Sequence, residues 1–203
     1  LSFLSKARNG GLTLIIVPTT LIFHWQREIE SFLPGCSLYV HKGSQREKDL
    51  QYWNKHKIML TSYGTMRVDE SLFERAAFQT VILDEAQTIK NPDTRVAKLV
   101  CRLQSSFRLS ITGTPIENNL MDLWSQFRFL LPDLLGSRQE FNAEILASQV
   151  DSRYLSRIKQ KIRPFLLRRR KEDVAKDLPE KVEQTVFVEM REEQRAIYDS
   201  FVG

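Results

Sequence analysis

Two adjacent carboxylates, Asp84 and Glu85, follow a run of branched apolar residues and are the first candidates for chemistry in this sequence. The run 81–83 is too short and too apolar for an amphipathic helix and is typical of a buried strand in a parallel sheet. Ligands of open α/β sheets bind at the carboxyl ends of the strands, and paired carboxylates suit a phosphate-bound Mg²⁺ that keeps most of its waters. On the dipeptide alone, a solvated acidic turn is the favoured alternative, because short motifs match by chance.

Two further segments place hydroxyl groups at predicted strand ends. The segment "VPTT" (17–20) reads by itself as a strand end followed by a helix cap, for which Thr20 is a suitable residue. The segment "TGTP" (112–115) reads by itself as a turn, in which Gly113 lets a neighbour approach the backbone closely. Either segment is ordinary when it is taken alone.

Composition limits the class of protein. The chain has 203 residues, of which 42% are hydrophobic and 27% charged, enough for one α/β domain with an appendage. No apolar run approaches the ~18 residues of a membrane span, and the first residues show no secretory signal pattern. Only Cys36 and Cys101 occur, so we expect no disulfide framework and an intracellular setting.

The net charge of +5 is unevenly distributed along the chain. Residues 152–171 contain nine basic residues and no acidic one. They are Arg153, Arg157, Lys159, Lys161, Arg163, Arg168, Arg169, Arg170 and Lys171. Such a stretch either neutralises nucleic-acid phosphates or forms a solvated face.

The remaining pattern alternates strands with helices, which predicts a parallel sheet with helices on both faces. Strands are predicted at 12–17, 37–40, 58–60, 80–83 and 109–112. Helices are predicted at 21–33 and 92–104, the second with Asn91 as its cap and Pro92 in its first turn. Three helical stretches at 118–131, 137–148 and 151–163 follow, and then a strand-like run at 181–190 and a last helix.

Five stretches in this order carry a family resemblance. They are "IIVPTTLIFHWQREIESFLP", "TSYGTMR", "LDEAQTIKNP", "LSITGTPIENNLMDLWS" and "PFLLRRRKEDVAKDLPEK". Together they resemble the Swi/Snf-type ATPases of helicase superfamily two, and bacterial members in particular. The resemblance covers about residues 12–181 and implies a RecA-like α/β lobe with a helical insertion.

The resemblance also implies roles for the carboxylates and their neighbours. Asp84 would hold Mg²⁺ through its waters, and Glu85 would polarise the water that attacks ATP. Gln87 departs from the more familiar DEAH form at a position that couples nucleotide state to DNA, and this departure would leave the Mg²⁺ chemistry alone. The "TGTP" residues Thr112, Gly113 and Thr114 would relay that state to the DNA-binding face.

Double-stranded DNA is the partner that the resemblance implies. Hydroxyl and N–H groups of two segments would contact the phosphate backbone, and a basic cluster would add charge. The residues are Pro18, Thr19, Thr20, Thr61, Ser62, Tyr63, Arg168, Arg169, Arg170 and Lys171. Trp25 shares an apolar stripe with Leu21 and Ile29 and is therefore interpreted as core rather than as a base-stacking surface.

The 203 residues contain no G-x-x-x-x-G-K-[ST] phosphate-binding loop. We therefore expect a fragment: a first RecA-like lobe at 1–131, a helical protrusion at 132–170 and a linker at 171–203, with a second lobe elsewhere in the protein. The isolated chain is expected to be inactive as an ATPase.

The function predicted for the intact protein is ATP-dependent translocation on double-stranded DNA, with ATP and Mg²⁺ as cofactors and a protein on the DNA as a candidate substrate. Two alternatives stay open: a non-catalytic DNA- or protein-binding module, and a DEAD/DEAH-type strand-separating helicase. The setting is expected to be the bacterial cytoplasm at the nucleoid, or the nucleus in a eukaryote, with no membrane partner.

Overall fold

The structure, a computed structural model, describes residues 11–113, 120–150, 152–169 and 190–202. The chain divides into two compact units, Leu1–Pro164 and Phe165–Gly203. Of the helices in the described residues, the first unit contains all but one, together with the sheet. The described part of the second unit holds basic residues and one helix, Glu192–Val202.

A five-stranded sheet forms the centre of the first unit, with the strand order β2-β3-β1-β4-β5. Every adjacent pair of strands is parallel. The strands are β1 (Thr13–Val17), β2 (Leu38–His41), β3 (Ile58–Ser62), β4 (Ala77–Leu83) and β5 (Gln104–Ser110). The predicted parallel α/β sheet is therefore confirmed, and all five strands were anticipated.

The bounds of β5 differ most from those predicted. The strand begins at Gln104 rather than at 109, and it ends at Ser110 before Thr112. Among the described residues β5 pairs only with β4 and is therefore an edge strand. Its first half is polar and partly exposed to solvent. That half carries no continuous apolar run, which is the signal that identified the buried strands.

Eight helices of the first unit connect and flank the strands in the described residues. They are α1 (Ile22–Phe32), α2 (Leu50–Trp53), α3 (Tyr63–Val68), α4 (Glu70–Arg75), α5 (Arg95–Arg102), α6 (Leu120–Leu130), α7 (Arg138–Val150) and α8 (Ser152–Ile162), and α9 (Glu192–Val202) belongs to the second unit. Short 3-10 turns occur at Thr19–Leu21, Ala86–Ile89 and Arg163–Phe165. The predicted strand at 181–190 falls outside the described residues except for Met190.

The predicted start of α5 was wrong. The helix begins at Arg95, after Thr94, whose side chain accepts a hydrogen bond from the Ala97 N–H. The side chain of Asn91 accepts from the Asp93 N–H and closes a turn before the helix instead. Asn and Thr are both suitable N-cap residues, and the helix is capped by Thr94, which directly precedes its first residue.

Both faces of the sheet are covered, which explains why its central strands are continuously apolar. On one face Leu14 and Ile16 pack with residues of β3, β4, α5 and α6. On the other face Ile15 and Val17 pack with Ile22 and Ile29 of α1. A third cluster of buried apolar side chains joins α6, α7 and α8. None of the helices within the described ranges is long and apolar enough to cross a bilayer.

Helix α6 contributes to two of these clusters. Phe129 belongs to the sheet cluster, whereas Leu123 and Phe127 belong to the cluster of α6, α7 and α8. The predicted division of the chain after residue 131 stays a prediction.

A buried polar network closes the β2 side of the sheet. The Asp69 carboxylate accepts hydrogen bonds from His41 Nε2 at 2.8 Å and from two nitrogens of Arg46. Burial alone would raise the pKa of the Asp69 carboxyl, but the hydrogen bonds from Arg46 and His41 outweigh it and lower that pKa. Burial lowers the pKa of His41 against the opposing effect of Asp69. Since the carboxylate only accepts, the neutral imidazole carries its proton on Nε2.

Replacing Asp69 by Ala should lower the free energy of unfolding by about 3 kcal/mol at pH 7, because Arg46 and His41 lose their common acceptor. The lowered pKa makes the carboxylate stabilising above its unfolded pKa of about 3.9, and this contribution disappears as the pH falls through the folded value. The difference between variant and parent should therefore shrink below pH ~4. Urea unfolding, monitored by tryptophan fluorescence at several pH values, measures this difference in the free energy of unfolding.

The matched control is Asp93→Ala, which removes an exposed ion pair with Arg138. Exposed pairs contribute little, so this variant should unfold almost as the parent does. Equal destabilisation by the two substitutions would contradict the structural importance of the Asp69 network.

Candidate active site

The backbone fixes Asp84 and Glu85 at the carboxyl end of β4. The Asp84 N–H donates to the Ile16 carbonyl of β1 at 2.9 Å, which extends the ladder by one residue. On the other side, the Ile111 N–H donates to the Leu83 carbonyl and the Ala86 N–H donates to the Ile111 carbonyl. The two carboxylates therefore stand between β1 and β5, at the sheet edge predicted from the sequence.

Asp84 is half-buried and held by three hydrogen bonds. The Trp25 indole N–H donates to Oδ2 at 2.6 Å, and the Glu85 N–H donates to Oδ1 at 2.9 Å. The Tyr63 hydroxyl donates to the Asp84 carbonyl oxygen at 2.8 Å. Each carboxylate oxygen has two acceptor sites, so each keeps one for a further donor.

Glu85 has a left-handed backbone, with φ 50 and ψ 53, and is the single non-glycine residue of the described chain with a positive φ. An L-residue pays about 1–2 kcal/mol for this conformation. Such strain persists where the surroundings fix it and often marks a functional position. Here the turn passes directly from β4 into the 3-10 turn Ala86–Ile89.

Gln87 connects Glu85 to the "TGTP" segment. Its amide nitrogen donates to Glu85 Oε2, and its amide oxygen accepts from the Thr112 hydroxyl at 2.8 Å. Gln87 thus touches the second carboxylate itself, which the sequence interpretation did not anticipate. At Gly113, no described heavy atom lies within 4 Å of a Cβ built on the residue, so the described residues show no neighbour packed closely against this backbone. Thr114 lies outside the described residues.

The two segments predicted to contact DNA differ in exposure. Thr19 and Thr20 are exposed after Pro18, and neither caps the 3-10 turn or α1, so the cap alternative for Thr20 is not realised. The side chains of the "TSY" segment are buried. The Thr61 hydroxyl donates to the His41 carbonyl and Ser62 Oγ caps α3, while Tyr63 faces Asp84.

An open cleft of about 600 Å³ lies beside these segments. Its lining combines side chains of the 3-10 turn, α1, the loop after β2 and the start of α3. The residues are Thr19, Ile22, Phe23, Lys42, Gly43, Arg46, Ser62, Gly64, Thr65 and Val68. Sequence reasoning missed Lys42 and Thr65, because only the pairing of β2 with β3 brings the loop after β2 next to Ser62.

The basic cluster is only partly described. Arg168 and Arg169 are exposed in the second unit, and Arg170 and Lys171 lie outside the described residues.

The donor set at the site suits a metal held through water. Among the described residues there is no group of three or more His, Cys, Asp and Glu side chains that could hold a metal directly. Mg²⁺ is usually bound by one or two carboxylates and keeps several waters. Asp84, with its remaining acceptor capacity, fits that requirement.

Comparison with known proteins identifies the family. A family model described as the SNF2-related domain matches residues 2–203. The chain belongs to the SNF2 family. The Swi/Snf resemblance inferred from the five stretches is therefore confirmed.

Two bacterial relatives illustrate the match. The chain is 37% identical over 188 residues to the uncharacterized ATP-dependent helicase MG018 of Mycoplasma genitalium, covering 92% of this chain and 18% of that protein. It is 36% identical over 197 residues to the putative ATP-dependent helicase/translocase YwqA of Bacillus subtilis, covering 93% and 21%. The chain thus spans about a fifth of the length of these curated relatives.

A solved structure supports the fold assignment. The Sulfolobus solfataricus SWI2/SNF2 ATPase core in complex with dsDNA is 36% identical and superposes with a TM-score of 0.78, covering 99% of this chain and 43% of that one. The RecA-like parallel sheet expected for this SNF2 chain is confirmed by this similarity and by the observed topology.

The strained backbone of Glu85 gives a prediction about stability. Glu85→Ala and Glu85→Gly both remove the carboxylate and its contact with Gln87, but only glycine also removes the left-handed penalty. Glu85→Gly should therefore unfold at a higher free energy than Glu85→Ala, by up to about 1 kcal/mol after the greater entropy of unfolded glycine is included. Chemical denaturation of both variants measures the difference, and a more stable alanine variant would argue against the left-handed backbone.

Proposed function

We propose that this chain is part of the motor of a DNA-dependent ATPase that moves along duplex DNA. The observation that carries the proposal is the set of contacts at the end of β4: Asp84 is fixed by three donors, and Glu85 is joined through Gln87 to Thr112. ATP use comes from the ATP-dependent relatives, and duplex DNA from the SWI2/SNF2 core in complex with dsDNA.

The two carboxylates divide the chemistry between them. Mg²⁺, when bound, would neutralise charge on the phosphates of ATP. Asp84 would hold it through waters, using the acceptor sites left free on Oδ1 and Oδ2. Glu85 would orient the attacking water and accept its proton on Oε1, since Oε2 already accepts from Gln87.

Gln87 and Thr112 would pass changes at Glu85 to the rest of the lobe. An amide accepts and donates at once, so a shift of the Thr112 hydroxyl changes the hydrogen bond that Glu85 receives. This arrangement supports the coupling role proposed for Gln87 and Thr112, and the same role is proposed for Gly113 and Thr114 from the family resemblance.

Duplex DNA would lie along the cleft that contains Thr19 and Ser62. Exposed hydroxyls, the N–H groups at the start of α3 and the Lys42 ammonium are suitable partners for phosphates and read no sequence. Because the side chains of Thr61, Ser62 and Tyr63 are all buried, the "TSY" segment would meet DNA through the Gly64 and Thr65 that follow it in the cleft lining. The Arg168–Lys171 cluster would supply additional charge.

Substituting the two carboxylates in the full-length protein tests the division of roles. Glu85→Gln should keep Mg·ATP affinity within about twofold and lower kcat by at least about a hundredfold, because it removes the proton acceptor. Asp84→Asn should in addition weaken Mg²⁺-dependent nucleotide binding by about tenfold. Fluorescent-nucleotide titrations with and without EDTA, together with steady-state ATPase rates, measure both; equal loss of binding in the two variants would show that the roles are wrongly divided.

The salt dependence of DNA binding tests the basic cluster. Replacing Arg168, Arg169 and Arg170 together by Ala should reduce the slope of log K against log[salt] by up to about three, since each phosphate neutralised contributes about 0.9. Fluorescence anisotropy of a labelled duplex across a salt series measures the slope.

The control removes the same charge at the amino-terminal edge of the sheet, through Lys55, Lys57 and Arg75, which are exposed. Their substitution by Ala should leave the slope unchanged. An unchanged slope in the Arg168 to Arg170 variant would remove the cluster from the DNA site, and robust strand separation by the full-length protein would favour the unwinding helicase.

A further inference from the structure

Trp25 makes a contact that its position in an apolar stripe does not explain. The ring is half-buried against the cluster of Ile22 and Ile29, as expected for a core residue. Its indole N–H, however, points to the edge of the sheet and donates to Asp84 Oδ2 at 2.6 Å across 59 positions of sequence. A hydrogen bond from a neutral donor to a carboxylate is shorter and stronger than one between neutral groups.

The same helix forms part of the cleft wall. Thr19 in the preceding 3-10 turn and Ile22 and Phe23 in the first turn of α1 line the cleft, and Trp25 follows within that turn. Ile22 and Ile29 are both buried, so α1 is packed as a rigid element on the sheet. A ligand that presses on the start of α1 therefore acts on the element that carries the indole donor.

A second segment repeats this arrangement. Ser62, Gly64 and Thr65 line the cleft, and Tyr63 between them turns inward and donates to the Asp84 carbonyl oxygen. Both connections from the cleft wall thus end on the same residue, one on its carboxylate and one on its backbone. Of the two, only the Trp25 bond fixes the direction of the carboxylate.

We infer that Trp25 is a positioning residue for Asp84, and that it joins occupancy of the phosphate-binding cleft to the orientation of the metal-holding carboxylate. The inference rests on the proposed function, since it assumes that Asp84 holds Mg·ATP and that the cleft receives DNA. The indole N–H can only donate, so the hydrogen bond requires Asp84 Oδ2 to be an unprotonated acceptor. Outer-sphere donors of this kind orient the groups that bind a metal.

The coupling must act in both directions. If DNA in the cleft strengthens Mg·ATP binding by a given factor, Mg·ATP strengthens DNA binding by the same factor. Removal of the indole N–H should reduce both factors together. Loss of a residue that only stabilises the fold would change the melting temperature or the affinities themselves. It would leave unchanged the ratio of the Mg·ATP affinities measured with and without DNA.

The experiment uses the full-length protein with Trp25→Phe, which keeps an aromatic ring in the core and removes the N–H. A second variant carries benzothienylalanine at position 25, in which sulfur replaces the N–H in a ring of the same shape. For each we would measure the Mg²⁺ concentration giving half-maximal binding of a fluorescent ATP analogue, with and without duplex DNA, and the duplex Kd with and without the Mg²⁺ complex of that analogue. Both variants should raise the Mg²⁺ requirement about tenfold and bring both coupling factors close to one.

Trp124→Phe is the matched control. The Trp124 indole N–H donates to the Gly136 carbonyl at 3.1 Å within the cluster of α6, α7 and α8, so its loss removes a tryptophan hydrogen bond elsewhere in the same unit. This variant should keep the parental Mg²⁺ requirement and coupling factors within about twofold.

The outcomes separate the inference from its premise. If Asp84→Asn weakens Mg²⁺-dependent binding while the benzothienylalanine variant behaves as the parent, the positioning role of Trp25 is wrong and the proposed function stands. If Asp84→Asn also has no effect, the metal role of Asp84 is wrong and the inference falls with it. A raised Mg²⁺ requirement that Trp124→Phe reproduces equally would show a general effect of lost tryptophan contacts and would overturn the inference.

Discussion

The parallel pairing of β4 with β1 on one side and β5 on the other is the constraint on which the candidate site depends. Parallel strands end at the same edge of a sheet, so the segments after β1, β3, β4 and β5 meet there whatever their separation in sequence. Alternate side chains of β1 and β4 pack into two different buried clusters, so a one-residue slip would exchange the two sets and disrupt the packing on both faces. The position of Asp84 therefore depends on a core that contains none of the proposed catalytic groups.

Asp84 and Glu85 are neighbours in sequence but belong to different parts of the structure. Asp84 is tied to α1 through Trp25 and to the start of α3 through Tyr63, both of which border the cleft. Glu85 is tied through Gln87 to Thr112, beyond the end of β5. The left-handed backbone at Glu85 separates the two sets of contacts, because it turns the chain out of the strand within one residue. If the proposed roles hold, the strained residue separates the surroundings of the group that would hold the metal from those of the group that would orient water.

The sequence predicted the elements well and the directions of side chains less well. Continuous apolar runs identified the parallel sheet, and the interpretation of Trp25 as a core residue is confirmed by its packing. The partner of its N–H lies 59 positions away and leaves no local signal. A motif such as "TSY" names a segment without saying which side chains face outward; burial of Thr61 and Tyr63 follows from neighbouring strands and helices that no local pattern contains. The roles given to the site residues stay predictions.

The charges around the cleft limit what it would contribute to the proposed binding of DNA. Arg46 lines the cleft, but its guanidinium is committed to the buried Asp69 carboxylate, which leaves little net charge to attract phosphate. Within the described residues, Lys42 is the one cationic side chain of the lining without an ion pair. Hydroxyl and N–H donors fix the position of a phosphate, whereas counterion release requires cations. If DNA occupies the cleft as proposed, these donors would set the register of a strand, and most of the electrostatic affinity would come from basic residues elsewhere, of which the 168–171 cluster is the densest in the sequence.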